Sequence, residues 1–162
     1  MEARLRASLH FAKRMFGRRS NIVGVEVGVA SGDNSRNILL EWDIEKLYGV
    51  EIVPEEVEIT KKFMESFGNY EIICGDSVEV SKQFTNEFFD FVYLDDDHST
   101  FGVSRSLEAW YPKVKHGGII AGHDYYPDCS DESGVFKGVI DFFVRTGLIL
   151  NAEDTDFWGV KP

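Results

Sequence analysis

The sequence predicts an α/β fold, a mostly parallel sheet finished by an antiparallel hairpin, and three observations predict it. From residue 22 onward, short β-rich runs alternate with helical patterns, which implies a parallel sheet. The first run ends in a loop of small residues, EVGVASGDNS at 26–35, of the kind that joins a strand to a helix. Near the C-terminus, LILNA (148–152) and DFWGVK (156–161) are separated only by Glu153, Asp154 and Thr155. A parallel crossover needs a dozen or more residues, so this last pair is an antiparallel hairpin.

Each element follows from local pattern. Leu5, Leu9, Ala12 and Phe16 fall at helical spacing, so residues 1–19 read as a basic helix packed on the domain, its charged face solvated. The same Arg-rich, acid-poor stretch is compatible with a transit peptide. IVGVEV (22–27) is the first strand, and a helix enters near Asn34 or Ser35. LYGVEI (47–52) is the second strand. The helix after it begins at Pro54, a first-turn residue, and turns Val57, Phe63, Met64 and Phe67 to one face. YEIICG (70–75) is the third strand; Asp76 follows it, with Ser77 as the N-cap. FFDFVYL (88–94) is nearly continuous in apolar residues, the mark of a central strand covered on both faces. Val103, Leu107, Trp110 and Tyr111 line the next helix, GGIIAG (117–122) is the fifth strand, and a helix over 134–146 precedes the hairpin.

Composition narrows the function classes. The 162 residues suffice for one domain, 1–162, and the 43% hydrophobic content is too apolar for disorder. No apolar stretch approaches the length of a membrane span. Net charge is −11, unevenly spread: residues 1–19 hold six Lys/Arg against Glu2, while the remainder holds 11 basic and 27 acidic residues. A groove that tracks nucleic-acid phosphates is therefore disfavoured on the main body. Cys74 and Cys129 have no metal-type spacing and are too few for a disulfide scaffold, so both read as structural and the expected location is a reducing cytoplasm.

The chemistry gathers at strand ends, where open α/β sheets bind ligands. In the 26–35 loop small residues let backbone N–H groups approach a ligand at a helix N-terminus, which favours a carboxylate or phosphate. The loop lacks the second glycine of a dinucleotide fingerprint and the lysine of a P-loop. Glu51 ends the second strand, where a carboxylate accepts both hydroxyls of a ribose, and Asp76 ends the third, placed to meet an adenine edge. Asp95, Asp96, Asp97 and His98 follow the central strand. Three adjacent carboxylates are unfavourable unless a cation compensates or some turn to solvent. Asp124, preceded by His123, ends the fifth strand, so Asp95 and Asp124 are candidates to share a divalent ion. The plainer reading is of surface acids with a helix cap at Asp97 or Ser99.

Taken together, the glycine loop, YLDDDHS (93–99) and WYPKVKHGGIIAGHDY (110–125) resemble the class I S-adenosylmethionine-dependent methyltransferases, particularly the small-molecule group with YIDGDHSY followed by LKPGGIIAGHDY. The resemblance spans residues 22–162 and implies a Rossmann-like sheet of seven strands with helices on both faces. It implies S-adenosylmethionine as cofactor, with the methionine part on Glu26, Gly28, Ala30, Ser31 and Ser35. Ribose falls to Glu51 with Ile52 against the base, adenine to Asp76 and Ser77, and Asp95 lies beside the cofactor. Metal-dependent O-methyltransferases hold Mg²⁺ or another divalent ion at positions matching Asp95, His123 and Asp124. Here His123 replaces an Asp, Asp96 replaces a Gly, and Thr100-Phe101 replace Tyr-Glu.

The implied reaction is transfer of the sulfonium methyl to a hydroxyl oxygen of a small molecule, with Asp95, His98 and Asp124 as catalytic residues. Alignment of the reacting atoms carries most of the catalysis. His98 is the candidate base because imidazole titrates near neutrality. His10 and His116 read as unrelated to the site. Hydride transfer and phosphoester hydrolysis fit less well, and the alternative from another class is a cofactor-binding or assembly module without turnover. No membrane partner is expected and nucleic acid is disfavoured. Residues 127–134 are a candidate lid, and small size with many aromatics is compatible with a homodimer.

Overall fold

A helix near the N-terminus, Ala7–Phe16 (α1), precedes the alternating part of the chain. In the computed structural model, which describes residues 4–127 and 134–162, five strands are parallel: Val23–Val27 (β1), Lys46–Glu51 (β2), Tyr70–Cys74 (β3), Phe89–Leu94 (β4) and Val114–Gly122 (β5). Asn151–Glu153 (β6) and Asp156–Val160 (β7) form the expected hairpin, and β7 runs antiparallel to both β5 and β6. The sheet order is β3-β2-β1-β4-β5-β7-β6. Chain direction along the sheet therefore reverses between β1 and β4, and a crevice opens at the carboxyl ends of those two strands.

Helices Asp33–Glu41 (α2), Pro54–Phe63 (α3), Ser77–Ser81 (α4), Thr100–Trp110 (α5) and Val135–Thr146 (α6) connect the strands. Two hydrophobic clusters cover the two faces of the sheet. One gathers Val25, Val27, Val92 and Leu94 with Leu107, Trp110, Val139 and Phe142 of α5 and α6. The other gathers Leu47, Phe91, Tyr93, Ile119 and Trp158 with Ile38 of α2 and Leu5, Leu9, Ala12 and Phe16 of the N-terminal segment. β4 is buried along its whole length, as its apolar run predicts. Its one charged residue, Asp90, is 2% exposed and accepts from Val23 N at 2.9 Å, Arg19 Nη2 at 3.0 Å and Lys115 Nζ at 2.8 Å. Those donors make a buried carboxylate tolerable.

α1 sits where the helical spacing places it, with Leu9 and Ala12 in the core. Buried Asp156 of β7 anchors it, accepting from Ser8 N (3.0 Å), Ser8 Oγ (2.6 Å) and the Tyr93 hydroxyl (3.0 Å). Breaking this knot would leave a buried carboxylate unpaired, which is why a polar cluster here holds a helix to the sheet.

Local expectations change in four places. α3 ends at Phe63, so that ring is exposed and lies under the Arg36 guanidinium, while Val57 and Met64 are the buried residues. α4 is capped by Asp76 and not by Ser77, because Asp76 Oδ1 accepts from Val78 N and Glu79 N. β5 begins at Val114, earlier than the glycine pair suggests, and its pairing with β4 shifts register between Phe89 and Phe91. Leu148 and Leu150 pack half-buried against the core instead of opening β6, which starts at Asn151. No helix among the described residues is long and apolar enough to cross a membrane.

Candidate active site

A cleft of about 740 Å³ lies over the carboxyl ends of β1, β2 and β4, large enough for a cofactor-sized molecule. Its floor is the loop after β1. Gly28 has φ 86°, and a Cβ there would lie 2.1 Å from the carbonyl oxygen of Asp95, so only glycine lets this loop pass against the end of β4. Ala30 adopts φ 47°; its N–H donates to Glu51 Oε2 at 2.8 Å and its carbonyl accepts from Thr60 Oγ1 at 2.7 Å.

Carboxylates mark out the cleft. Glu26 is 1% exposed and accepts from Asn34 Nδ2 at 2.9 Å and from the Ser35 hydroxyl. Burial pushes its carboxyl up to about 7 despite these two donors. Glu51 accepts from Ala30 N and, at 2.9 Å, from Val53 N, so two backbone amides fix its orientation at the strand end. Ile52 beside it is 63% exposed, an apolar side chain left on the cleft wall. Asp76 is half engaged as the α4 cap and lies 3.7 Å from the Arg105 guanidinium. Asp96 Oδ2 accepts from Ser106 Oγ at 2.6 Å, and that hydroxyl is 3.0 Å from Ser77 Oγ. Burial raises the Asp96 carboxyl above its ordinary range.

The crowding of Asp95, Asp96 and Asp97 is resolved by divergence. Asp97 turns outward, and the N–H of Ser99 donating to it at 2.8 Å holds its carboxyl below the usual range. Ser99, not Asp97, caps α5, accepting from Gly102 N at 3.0 Å. Asp95 stays at the centre, 3.9 Å from Arg6. Burial raises its carboxyl, opposed first by His123 and then by Arg6.

Asp95 belongs to the second cluster of the site. His98 Nε2 lies 3.1 Å from Asp124 Oδ2 and 3.6 Å from Asp95 Oδ1. One ligand atom from each of Asp95, His98 and Asp124 falls within 4.8 Å of the other two. The donor set, two carboxylates and an imidazole, suits a divalent first-row cation. This differs from the set expected from the sequence, Asp95, His123 and Asp124. The His123 Nε2 is hydrogen-bonded to Thr155 Oγ1 at 2.7 Å, and its Nδ1 lies 3.0 Å from Asp124 Oδ1 but 3.9 Å from Asp95. His123 thus stands behind the cluster and braces Asp124, whose φ of 56° holds it at the strand end.

Of the residues expected to meet a cofactor, Glu26, Gly28, Ala30, Ser31, Glu51, Ile52, Asp76, Ser77 and Asp95 all line the cleft. Ser35 does not; it is fully buried, with its hydroxyl turned to Glu26. The cleft also recruits Arg6, Asn34, Arg105 and Ser106, which the sequence reading leaves out. Gly102, Arg105 and Ser106 share one face of α5, and that three-and-four spacing after the DDDHS run was a usable signal. Arg6 had none, because its role depends on where α1 docks, and the expected solvated face is partly turned to the site. His116 stands apart, 3.0 Å from Glu87. Cys74 is a free, exposed thiol; Cys129 and most of the candidate lid lie outside the described residues.

A family described as "Methyltransferase domain" matches residues 25–125, more than half of the chain. No curated protein sequence matches. Among solved structures, a Staphylococcus aureus protein assigned as a caffeoyl-CoA O-methyltransferase superposes with a TM-score of 0.76 at 18% identity, over 97% of this chain and 84% of that one. An O-methyltransferase from Bacillus cereus, in complex with S-adenosylhomocysteine, gives 0.74 at 15% identity, over 99% and 84%. The MycE methyltransferase of the mycinamycin pathway, in complex with Mg and S-adenosylhomocysteine, gives 0.68 at 19% identity, over 94% of this chain and 48% of that one. At these identities the superpositions establish the fold, a Rossmann-like methyltransferase sheet with its C-terminal antiparallel hairpin. With the family match over β1 to β5, the chain belongs to the methyltransferase-domain family.

Proposed function

We propose that the protein transfers the methyl group of S-adenosylmethionine to a hydroxyl oxygen of a small molecule. The observation that carries this reading is the run of side chains along one cleft, Glu26, Glu51 and Asp76 at successive strand ends, leading to Asp95, His98 and Asp124. The donor set fits the cofactor. Glu26 offers a buried carboxylate to an ammonium group, Glu51 a held carboxylate to vicinal hydroxyls, and exposed Ile52 an apolar surface to a purine. Structures with S-adenosylhomocysteine among those superposed support the same cofactor.

In the proposed reaction the acceptor oxygen attacks the methyl carbon, the carbon–sulfur bond breaks, and the hydroxyl proton must leave. In this reading His98 accepts that proton, and Asp124, 3.1 Å away, stabilises the imidazolium. Asp95, held between Arg6 and the two histidines, orients the acceptor at the meeting point of cleft and cluster. In a metal-loaded form Asp95, His98 and Asp124 would instead hold a divalent ion, which supplies a Lewis acid that lowers the pKa of the acceptor hydroxyl; the imidazole is then a ligand and no longer the base, and the proton leaves to solvent. The cytoplasm and a homodimer remain part of the proposal, on cysteine usage and on size.

Calorimetric titration with S-adenosylmethionine and S-adenosylhomocysteine tests the cofactor. Micromolar binding that is lost in Glu51→Ala supports it, and no binding refutes it. A transfer assay across catechol and sugar acceptors, with EDTA and then Mg²⁺ or Mn²⁺, tests the chemistry. Cofactor binding without transfer to any acceptor favours the assembly module.

A further inference from the structure

A second groove, of about 430 Å³, runs beside the cofactor cleft between the N-terminal segment and the β6–β7 hairpin. Arg4, Arg6, His10 and Arg14 form one wall. Glu153, Asp154 and Thr155 contribute to the other. The groove meets the reacting centre at two points. Arg6 lines both spaces and lies 3.9 Å from Asp95. Thr155 is bonded to the His123 ring through its hydroxyl, and its carbonyl accepts from Tyr125 N at 3.0 Å, so the hairpin turn is fastened to the end of β5. The groove thus approaches Asp95 and Asp124 from the β5–β7 side of the sheet, away from the β3 end where Asp76 stands.

Its two walls carry opposite charge, Arg4, Arg6 and Arg14 on one side facing Glu153, Asp154 and Asp156 on the other. The protein carries −11 overall, yet three guanidinium groups face this one space. Arg6 and Arg14 stand about two turns apart along this segment, with His10 between them. Among the described residues neither Arg4 nor Arg14 forms an ion pair, although Glu153 and Asp154 lie across the groove. Asp156, the third acid there, is already saturated by Ser8 and Tyr93.

We propose that this groove is the acceptor site and that the methyl acceptor carries an anionic group, a carboxylate or phosphate, beside its reacting hydroxyl. Arg4 and Arg14 hold the anion, guanidinium being the side chain best shaped for such oxygens. Glu153 and Asp154 oppose an acceptor that is anionic throughout and accept from further hydroxyls. The inference rests on the methyltransferase reading above and adds the substrate class.

The test is calorimetric titration of the protein saturated with S-adenosylhomocysteine, at low ionic strength, with two matched pairs of probes. One is 3,4-dihydroxybenzoate against 3,4-dihydroxybenzyl alcohol; the other is glucose 6-phosphate against glucose. The anionic member of at least one pair should bind about tenfold or more tightly than its neutral partner, and the pair that responds separates carboxylate from phosphate. The preference should shrink in 0.5 M salt and vanish in Arg4→Gln/Arg14→Gln, with S-adenosylhomocysteine affinity and the melting temperature unchanged. Equal or absent binding of both members of both pairs, with the cofactor bound, overturns the proposal. A preference that survives the double substitution overturns it too. Failure to bind S-adenosylhomocysteine at all refutes the methyltransferase reading instead.

Discussion

His98 Nε2 stands 3.1 Å from Asp124 Oδ2, so the end of β5 and the loop after β4 meet across the site through one imidazole–carboxylate pair. Neither residue is near the other in the chain. Their contact gives the cleft its chemical end, and it makes the pair the first target for substitution.

Asp124→Asn should leave S-adenosylhomocysteine affinity within about twofold while lowering kcat for methyl transfer by about 100-fold, because the proton acceptor His98 loses the carboxylate that stabilises its imidazolium. His98→Gln should behave alike. Single-turnover kinetics with the cofactor saturating reads the loss; a variant with unchanged kcat removes the pair from the mechanism.

Glu51→Gln should weaken cofactor binding by about 10- to 100-fold, the range for a charge-assisted hydrogen bond replaced by a neutral one. Calorimetry measures it directly. Because the Glu51 carboxylate also receives Ala30 N and Val53 N, the melting temperature should fall slightly in the unliganded protein.

Glu26 ties stability to pH. Its carboxyl is raised by burial from 4.5 to about 7, so between those values the native chain holds a proton that the unfolded chain has released. Stability therefore declines as pH rises through that window, and the cost at pH 8 is on the order of 3 kcal/mol. Glu26→Gln should remove the decline, melting higher than the parent at pH 8 and alike at pH 4.5, while binding the cofactor more weakly. Denaturation at the two pH values checks the sign.

Gly28→Ala should cost about 2–4 kcal/mol, since it adds a Cβ at φ 86° and 2.1 Å from a backbone oxygen. Urea unfolding gives the value. A near-neutral result would mean that the loop is free to withdraw from the end of β4.

Mn²⁺ titrated into the protein, followed by loss of the free-ion electron-paramagnetic signal, should bind one ion and lose it in Asp95→Asn and in His98→Gln. His123→Gln should weaken binding by 10- to 100-fold at most, the range for a group that braces a ligand. Loss equal to that of Asp95→Asn would return His123 to the ligand set.

Much of this was readable from the residues in order. Alternating β-rich and helical segments announce the parallel sheet, and the three-residue gap before Asp156 forces the antiparallel end, because strand geometry leaves no other connection. Short-range chemistry was equally plain: Glu26, Gly28, Glu51, Asp76 and Asp95 stand at strand ends, and strand ends converge in such sheets. Side-chain partners were another matter. Whether Asp76 or Ser77 caps α4, or His98 or His123 completes the cluster with Asp95 and Asp124, turns on rotations of a few ångströms that no spacing encodes. Arg6 joined the site only because Asp156, at the far end of the chain, binds Ser8 and seats α1 against β7. Local pattern specifies elements through steric and hydrophobic preferences of neighbouring residues. The contacts that turn those elements into a site form between residues far apart in sequence, and packing alone brings them together.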